Sequence, residues 1–177
     1  MKTQILVFRD FVTNAKNFPH GTLLDVKEFF TERGWSLLEP YQKKTRETHL
    51  VEEFFSKEPI FTDCSHTTDT YTAFKAGDDE SIAAAFSFAV WEAEQHLIGY
   101  VFTTLVAEKH RRQGHLREFM ETLKDFMVEH TLKVKSNGSC CETAFILAGM
   151  SHETKPHNAF YRLGFTTDVP EHLNCLE

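Results

Sequence analysis

Leu97-Ile-Gly-Tyr-Val-Phe-Thr-Thr-Leu-Val-Ala107, followed by Glu108-Lys-His-Arg-Arg-Gln-Gly-His115, followed by a segment whose apolar residues recur at Leu116, Phe119, Met120, Leu123, Phe126 and Met127, is the stretch that decides the fold. The first part is an apolar strand, the second a short basic turn, and the third keeps the spacing of one helical face. A strand, a glycine-bearing turn and a helix in succession gather backbone N–H groups and the positive end of a helix dipole at one point. An anion pocket is expected there.

The composition around this stretch narrows the field. A chain of 177 residues is long enough for one domain with a sizeable core, and no Gly-, Ser- or Pro-rich linker divides it. One domain is expected over 1–177, with 1–65 an N-terminal strand and helices and 66–177 the core. Hydrophobic residues at 41% and charged residues at 25% describe an ordered globular chain, and 17 phenylalanines predict an aromatic core. A formal charge of −7 argues against nucleic acid, which demands a broad basic surface. The positive charge is local instead: Lys109, Arg111, Arg112 and Arg117, joined by His110 and His115. An acidic body favours a cationic second substrate through long-range steering. Cys64, Cys140, Cys141 and Cys175 show no repeated metal-ligand spacing, and the ten histidines form no HExxH box, so no metal is implied. The Ile5–Phe8 run is broken by Arg9 and Asp10, too short for a signal-peptide core, and no apolar segment has membrane-spanning length. A cytoplasmic location with free thiols is expected, without a membrane partner.

Outward from the central stretch, Thr3 to Phe11 has the composition of a strand. A helix is predicted from about Leu23 to Arg33, capped by Thr22 and stopped at Gly34, and another over Thr45 to Ser56, ended by Pro59. Thr70 to Lys75 and Ser81 to Trp91 are extended segments joined by a turn at Ala76 to Asp79, and Glu92 to Gln95 turns into the central strand, giving an antiparallel meander. After the long helix, Lys133 to Gly138 is expected to be a polar connection. Thr143 to Ala148 is a nearly continuous apolar run, as in a strand buried on both faces and parallel to the central one. A helix from about Lys155 to Leu163, capped by Gly164, and a strand from Phe165 complete the order β-α-α-β-β-β-α-β-α-β. The fold class is α/β (α+β), a mixed, mostly antiparallel sheet with helices on both faces and a short C-terminal strand region.

Arg111-Arg112-Gln113-Gly114-His115-Leu116 resembles the R-x-x-G-x-G/A loop of the GCN5-related N-acetyltransferase (GNAT) superfamily, and Ala159-Phe-Tyr-Arg-Leu-Gly-Phe165 resembles that family's second signature. The resemblance is good over Thr70 to Val169, while the first helices match in kind and order only. It implies a transferase that takes acetyl-CoA as cosubstrate, with pantetheine held as a pseudo-strand along Leu105, Val106 and Ala107 and the pyrophosphate on N–H groups of Arg112, Gln113, Gly114, His115 and Leu116, Arg111 beside them. Leu116 departs from the family's second small residue. Thr154 stands where the family often has a polar CoA contact, Asn158 is an alternative contact, and Tyr161 matches the tyrosine that protonates the departing thiolate.

The acceptor side is less determined. An amine must lose a proton before attack, yet Thr104, Phe102 and Tyr100, on the strand face shared with Val106, include no carboxylate. Tyr100, as base or through a water relay, is the candidate, with Glu92, Glu94 and His96 in the preceding turn. The short ending leaves the acceptor site open or completed by a second copy in a homodimer. The expected activity is direct transfer of an acetyl group to a primary amine, the acceptor a small amine, polyamine, aminoglycoside or peptide. The competing reading is a non-catalytic acyl-CoA-binding or regulatory module.

Overall fold

The computed structural model describes residues 3–8, 26–56, 70–93, 96–136, 143–151 and 159–166. In chain order these form β1 (Thr3–Phe8), α1 (Val26–Glu32), β2 (Ser36–Leu38), α2 (Arg46–Ser56), β3 (Tyr71–Ala76), β4 (Ile82–Ala93), β5 (His96–Val106), a single 3-10 turn (Glu108–His110), α3 (His115–Ser136), β6 (Thr143–Ser151), α4 (Ala159–Arg162) and β7 (Phe165–Thr166). Hydrogen-bonded neighbours follow the order β2-β3-β4-β5-β6-β1-β7, a seven-stranded sheet. The β5–β6 pair is parallel, while β1–β6, β1–β7, β2–β3 and β3–β4 are antiparallel, so the mixed, mostly antiparallel sheet of the sequence reading is present.

The chain divides into two compact units, and β4, β5 and α3 contribute to both. The first comprises Met1–Leu23, Val90–Val101 and Met127–Glu177. Within it β5 pairs with β6 from His96–Thr143 to Val101–Ala148. The run Ala144 to Ala148 is wholly buried, as its unbroken apolarity predicts. Gly164 ends α4 with a φ of 99° and its N–H donated to the Tyr161 carbonyl at 3.2 Å, a left-handed cap.

The second unit, Leu24–Ala89 and Phe102–Phe126, holds the aromatic core. Phe119 on α3 stacks on Phe86 of β4 with ring centroids 4.6 Å apart and meets Phe88, Trp35 and Phe30 edge-on or tilted. Phe119, Met120, Leu123, Phe126 and Met127 are all buried, so the predicted face of α3 is its core face. Leu116, the first residue of that pattern, is half-buried. The Trp35 indole N–H donates to Thr122 Oγ1 at 3.2 Å, and the Thr122 hydroxyl donates to the Glu118 carbonyl at 2.8 Å. Thus the indole's one polar group is satisfied inside the core and fixes the second turn of α3.

Helix ends follow local chemistry. Trp35 N–H reaches the Phe30 carbonyl and Gly34 N–H the Thr31 carbonyl with Gly34 at φ 86°, a complete Schellman closure of α1 where the sequence places its stop. At the start of α2, Thr45 Oγ1 accepts from the Thr48 N–H while Thr48 Oγ1 accepts from the Thr45 N–H, a reciprocal capping pair.

Two elements depart from expectation. The short strand β2 (Ser36–Leu38) pairs with β3 between α1 and α2, where no strand was predicted. It is created by the Gly34 reversal, which sets Leu37 and Leu38 into the core beside β3. The supposed connection at Lys133 is helical through Ser136, because polarity alone does not end a helix and the Asn137-Gly138 turn signal begins only after it. The predicted strand residues from Thr167 onward, the stub at His172 to Leu176 and the start of the last helix at Lys155 lie outside the described residues, as do all four cysteines.

Candidate functional site

Within the second unit, β5 ends at Val106 and the chain enters the basic turn. Leu105 is buried in a cluster with Leu38, Val51, Phe55, Phe74, Ile82 and Ala85, so its side chain anchors the strand end. The Ala107 N–H donates to the Ala83 carbonyl of β4 at 2.8 Å. Since successive strand residues aim their N–H groups to opposite edges, the groups of Val106 point to the edge away from β4.

The turn then tightens. His110 N–H bonds the Ala107 carbonyl and Arg111 N–H the Glu108 carbonyl, closing the 3-10 turn. Arg112 has φ 65° and Gly114 φ 81°, two left-handed residues within three positions. Mixed left- and right-handed turns of this kind build the backbone concavities that hold anions. The Gly114 carbonyl accepts from the Glu118 N–H at 2.9 Å, which makes Gly114 the N-cap of α3 and leaves the N–H groups of His115, Leu116 and Arg117 without an intrahelical acceptor. A Cβ built on Gly114 meets nothing within 4 Å, so the protein itself leaves open space over this residue.

The basic cluster separates into parts. Lys109 is paired with Asp79 in the β3–β4 turn, and together with the Ser81 hydroxyl this holds the Asp79 carboxyl well below the usual carboxylate range. Arg111 Nε donates to the Val106 carbonyl at 3.3 Å, folding that side chain back on the strand end. Among the described residues Arg112 and Arg117 have no such partner, and both are exposed. His115 has both ring nitrogens buried without a hydrogen bond, and burial pushes its pKa down, against an opposing pull from Glu118. The imidazole is therefore neutral at neutral pH. Positive charge for an anion at this turn comes from Arg112, Arg117 and the backbone.

The first turn of α3 is held in place from β3. Lys75 pairs with Glu118 and lies over the Trp35 ring, its nitrogen 4.6 Å from the centroid. His110 packs on Gly77, where a Cβ would come within 2.8 Å of its Nε2. Loop and hairpin are thus fitted to each other through the absence of a side chain at residue 77.

Arg112 carries backbone strain that its side chain does nothing to relieve. A non-glycine residue in the left-handed region costs about 1–2 kcal/mol, against about 0.5–1 kcal/mol for the extra freedom glycine has when unfolded. Arg112→Gly is expected to raise unfolding free energy by about 0.5 kcal/mol, measured by urea denaturation. A loss of stability would show that the guanidinium makes a structural contribution.

Of the remaining predicted residues, Tyr100 lies in the first unit, half-buried on β5, and burial pushes its hydroxyl pKa up. It keeps its proton through neutral pH, which removes a phenolate base and leaves hydrogen bonding and water relay. Tyr161 is half-buried on α4, also in the first unit, beside the edge-on pair of Phe160 and Phe165. Thr154, Asn158 and Glu94 lie outside the described residues.

One feature was not anticipated at all. A pocket of about 480 Å³ opens in the second unit, lined by residues that include Leu50, Glu53 and Phe54 of α2, Ile82 of β4, and Leu105, Ala107 and Glu108 at the end of β5. Nothing in sequence spacing links these positions; the signal available was the apolar pair Leu50 and Phe54 on one face of α2.

No protein-family model matches this sequence, and no curated protein matches it. Several solved structures align with this chain at low identity. A GNAT-family protein from Novosphingobium aromaticivorans aligns with a TM-score of 0.47 at 11% identity, over 94% of this chain and 60% of its own. A GCN5-related N-acetyltransferase from Sphaerobacter thermophilus aligns at 0.40 and 14% identity, over 93% and 47%. A tandem GNAT protein of the clavulanic acid biosynthesis pathway aligns at 0.43 and 12% identity, over 92% and 49%. This chain spans about half to three-fifths of the length of these structures.

Proposed function

We propose that the chain is an N-acetyltransferase of the GNAT superfamily, 1–177 acting as one acetyltransferase domain that transfers an acetyl group from acetyl-CoA to a primary amine by direct attack. The observation that carries this reading is the turn from β5 into α3. Its left-handed Arg112 and Gly114, and an N-cap glycine ahead of three N–H groups without intrahelical acceptors, occupy the motif that resembles the family's pyrophosphate loop. Residues 112–116 hold the diphosphate, with Arg112 supplying charge. The edge of β5 at Val106 pairs with pantetheine amides, and Leu105 and Ala107 flank it. Arg111 acts by steadying the Val106 carbonyl. Thr154 and Asn158 are further CoA contacts.

In the reaction the amine nitrogen forms a bond to the thioester carbon, the carbon–sulfur bond breaks, the thiolate takes a proton from Tyr161, and the new amide nitrogen sheds a proton to solvent, from which Tyr161 regains its own. The amine gives up its proton to solvent through a water chain in which Tyr100 is one hydrogen-bonding member. Holding amine and thioester together supplies most of the acceleration, with leaving-group protonation added.

Calorimetry with acetyl-CoA, followed by release of free CoA thiol against small amines, polyamines, aminoglycosides and lysine- or amino-terminal peptides, tests the proposal. No heat of binding at saturating acetyl-CoA would overturn it. Binding without turnover of any amine would identify a non-catalytic acyl-CoA-binding module instead. For Tyr161→Phe, kcat is expected to fall about a hundredfold with the KM for acetyl-CoA unchanged, at the lower end of what a general acid contributes. An unchanged rate across pH would remove Tyr161 from the chemistry.

A further inference from the structure

The pocket beside the end of β5 has a wall that is both apolar and negative. Its volume of about 480 Å³ lies in the range of small-molecule sites. Leu50, Phe54, Ile82 and Leu105 make the apolar part. Three carboxylates, Glu53, Asp79 and Glu108, and one cation, Lys109, make the charged part. Lys109 and Asp79 cancel each other as an ion pair. Glu53 and Glu108 are exposed, and among the described residues neither carboxylate has a hydrogen bond or ion pair.

The pocket therefore presents two uncompensated negative charges together with an apolar lining. Glu53 comes from α2, and Glu108 directly follows Ala107, which flanks the strand edge assigned above to pantetheine. A ligand complementary to this wall has two cationic nitrogens separated by a hydrocarbon spacer. A monoamine leaves one carboxylate without a partner, an anionic or zwitterionic acceptor meets repulsion, and a fully apolar molecule has nothing to pair with either.

We propose that the acceptor is an aliphatic diamine or polyamine, seated in this pocket with one ammonium against Glu53 and the other nitrogen beside Glu108. This rests on the acetyltransferase reading for its use in catalysis, while the binding itself does not depend on acetyl-CoA. The proton of the reacting ammonium leaves before attack, and the second ammonium stays charged and holds the molecule in place.

Calorimetry with diaminobutane, and with aminobutanol as the control of equal chain length, reads the binding directly on the full chain without acetyl-CoA. Diaminobutane is expected to bind about tenfold more tightly, a ratio that shrinks as salt is raised. Glu53→Gln and Glu108→Gln, each at an exposed position, are expected to weaken diaminobutane about five- to tenfold and to bring the two ligands toward equal affinity. Equal affinity in the unaltered protein, or a preference that survives both substitutions, overturns the proposal. In the CoA-release assay diaminobutane should surpass aminobutanol in kcat/KM, and Glu53→Gln should act through KM. If acetyl-CoA binds and the two amines are used equally, the diamine assignment fails and the acetyltransferase reading stands. If acetyl-CoA does not bind and diaminobutane does, in a Glu53-dependent manner, the pocket assignment stands and the transferase reading fails.

Discussion

Phe119→Ala is expected to lower the unfolding free energy by about 4 kcal/mol. The ring is fully buried and meets four others, stacked on Phe86 and in contact with Phe88, Trp35 and Phe30. Its removal forfeits transfer energy of about 1.5–3 kcal/mol, and a cavity follows because aromatic neighbours on a strand and two separate segments cannot close together over it. Urea denaturation followed by tryptophan fluorescence is the suitable measurement, since Trp35 lies 6.0 Å from the ring. A loss under about 1.5 kcal/mol would mean that the core collapses over the gap, and that α3 is held by its polar contacts with Lys75 and Trp35 more than by this face.

Gly114→Glu is expected to weaken acetyl-CoA binding by at least about a hundredfold while costing only about 1–2 kcal/mol of stability. The stability cost is small because a Cβ at Gly114 meets nothing within 4 Å, and strain comes only from the φ of 81°. The binding cost is large because the space left open is where a diphosphate would lie against backbone N–H groups, and a carboxylate there adds repulsion between like charges. Gly114→Ala separates the two contributions: the same backbone strain, no charge, and an expected affinity loss of about tenfold from lost close approach. If both variants bind acetyl-CoA as the unaltered chain does, the diphosphate lies elsewhere and the loop is only a helix entry.

Elements with a long period were legible in the sequence. Five residues of α3 at helical spacing identified its core face, and Gly34 and Gly164 marked helix ends that the backbone then closed in the left-handed region. Local chemistry suffices for such features, because each is decided within a turn or two of chain. The strand β2 was not legible, since Ser36-Leu-Leu38 is too short to show alternation and exists through its pairing with β3. Nor was the Trp35–Thr122 bond, which joins residues far apart in sequence. The same division runs through the site. The loop from Arg111 to Leu116 is contiguous and could be read as a unit. The pocket is assembled from α2, the β3–β4 turn and the end of β5, and only the folded chain brings Glu53 and Glu108 into one pocket. Sequence also overcounted the positive charge, because it does not reveal that Lys109 is held by Asp79 or that burial keeps His115 neutral.

The left-handed Arg112 has a bearing on how this protein would respond to selection. At most positions, pressure for heat resistance and pressure for activity tolerate the same residues. At 112 they diverge, since glycine fits the backbone better and arginine adds a cation to the loop. A library screened for heat resistance alone would drift toward glycine or asparagine there, whereas one screened for turnover would keep arginine, so position 112 sorts the two pressures.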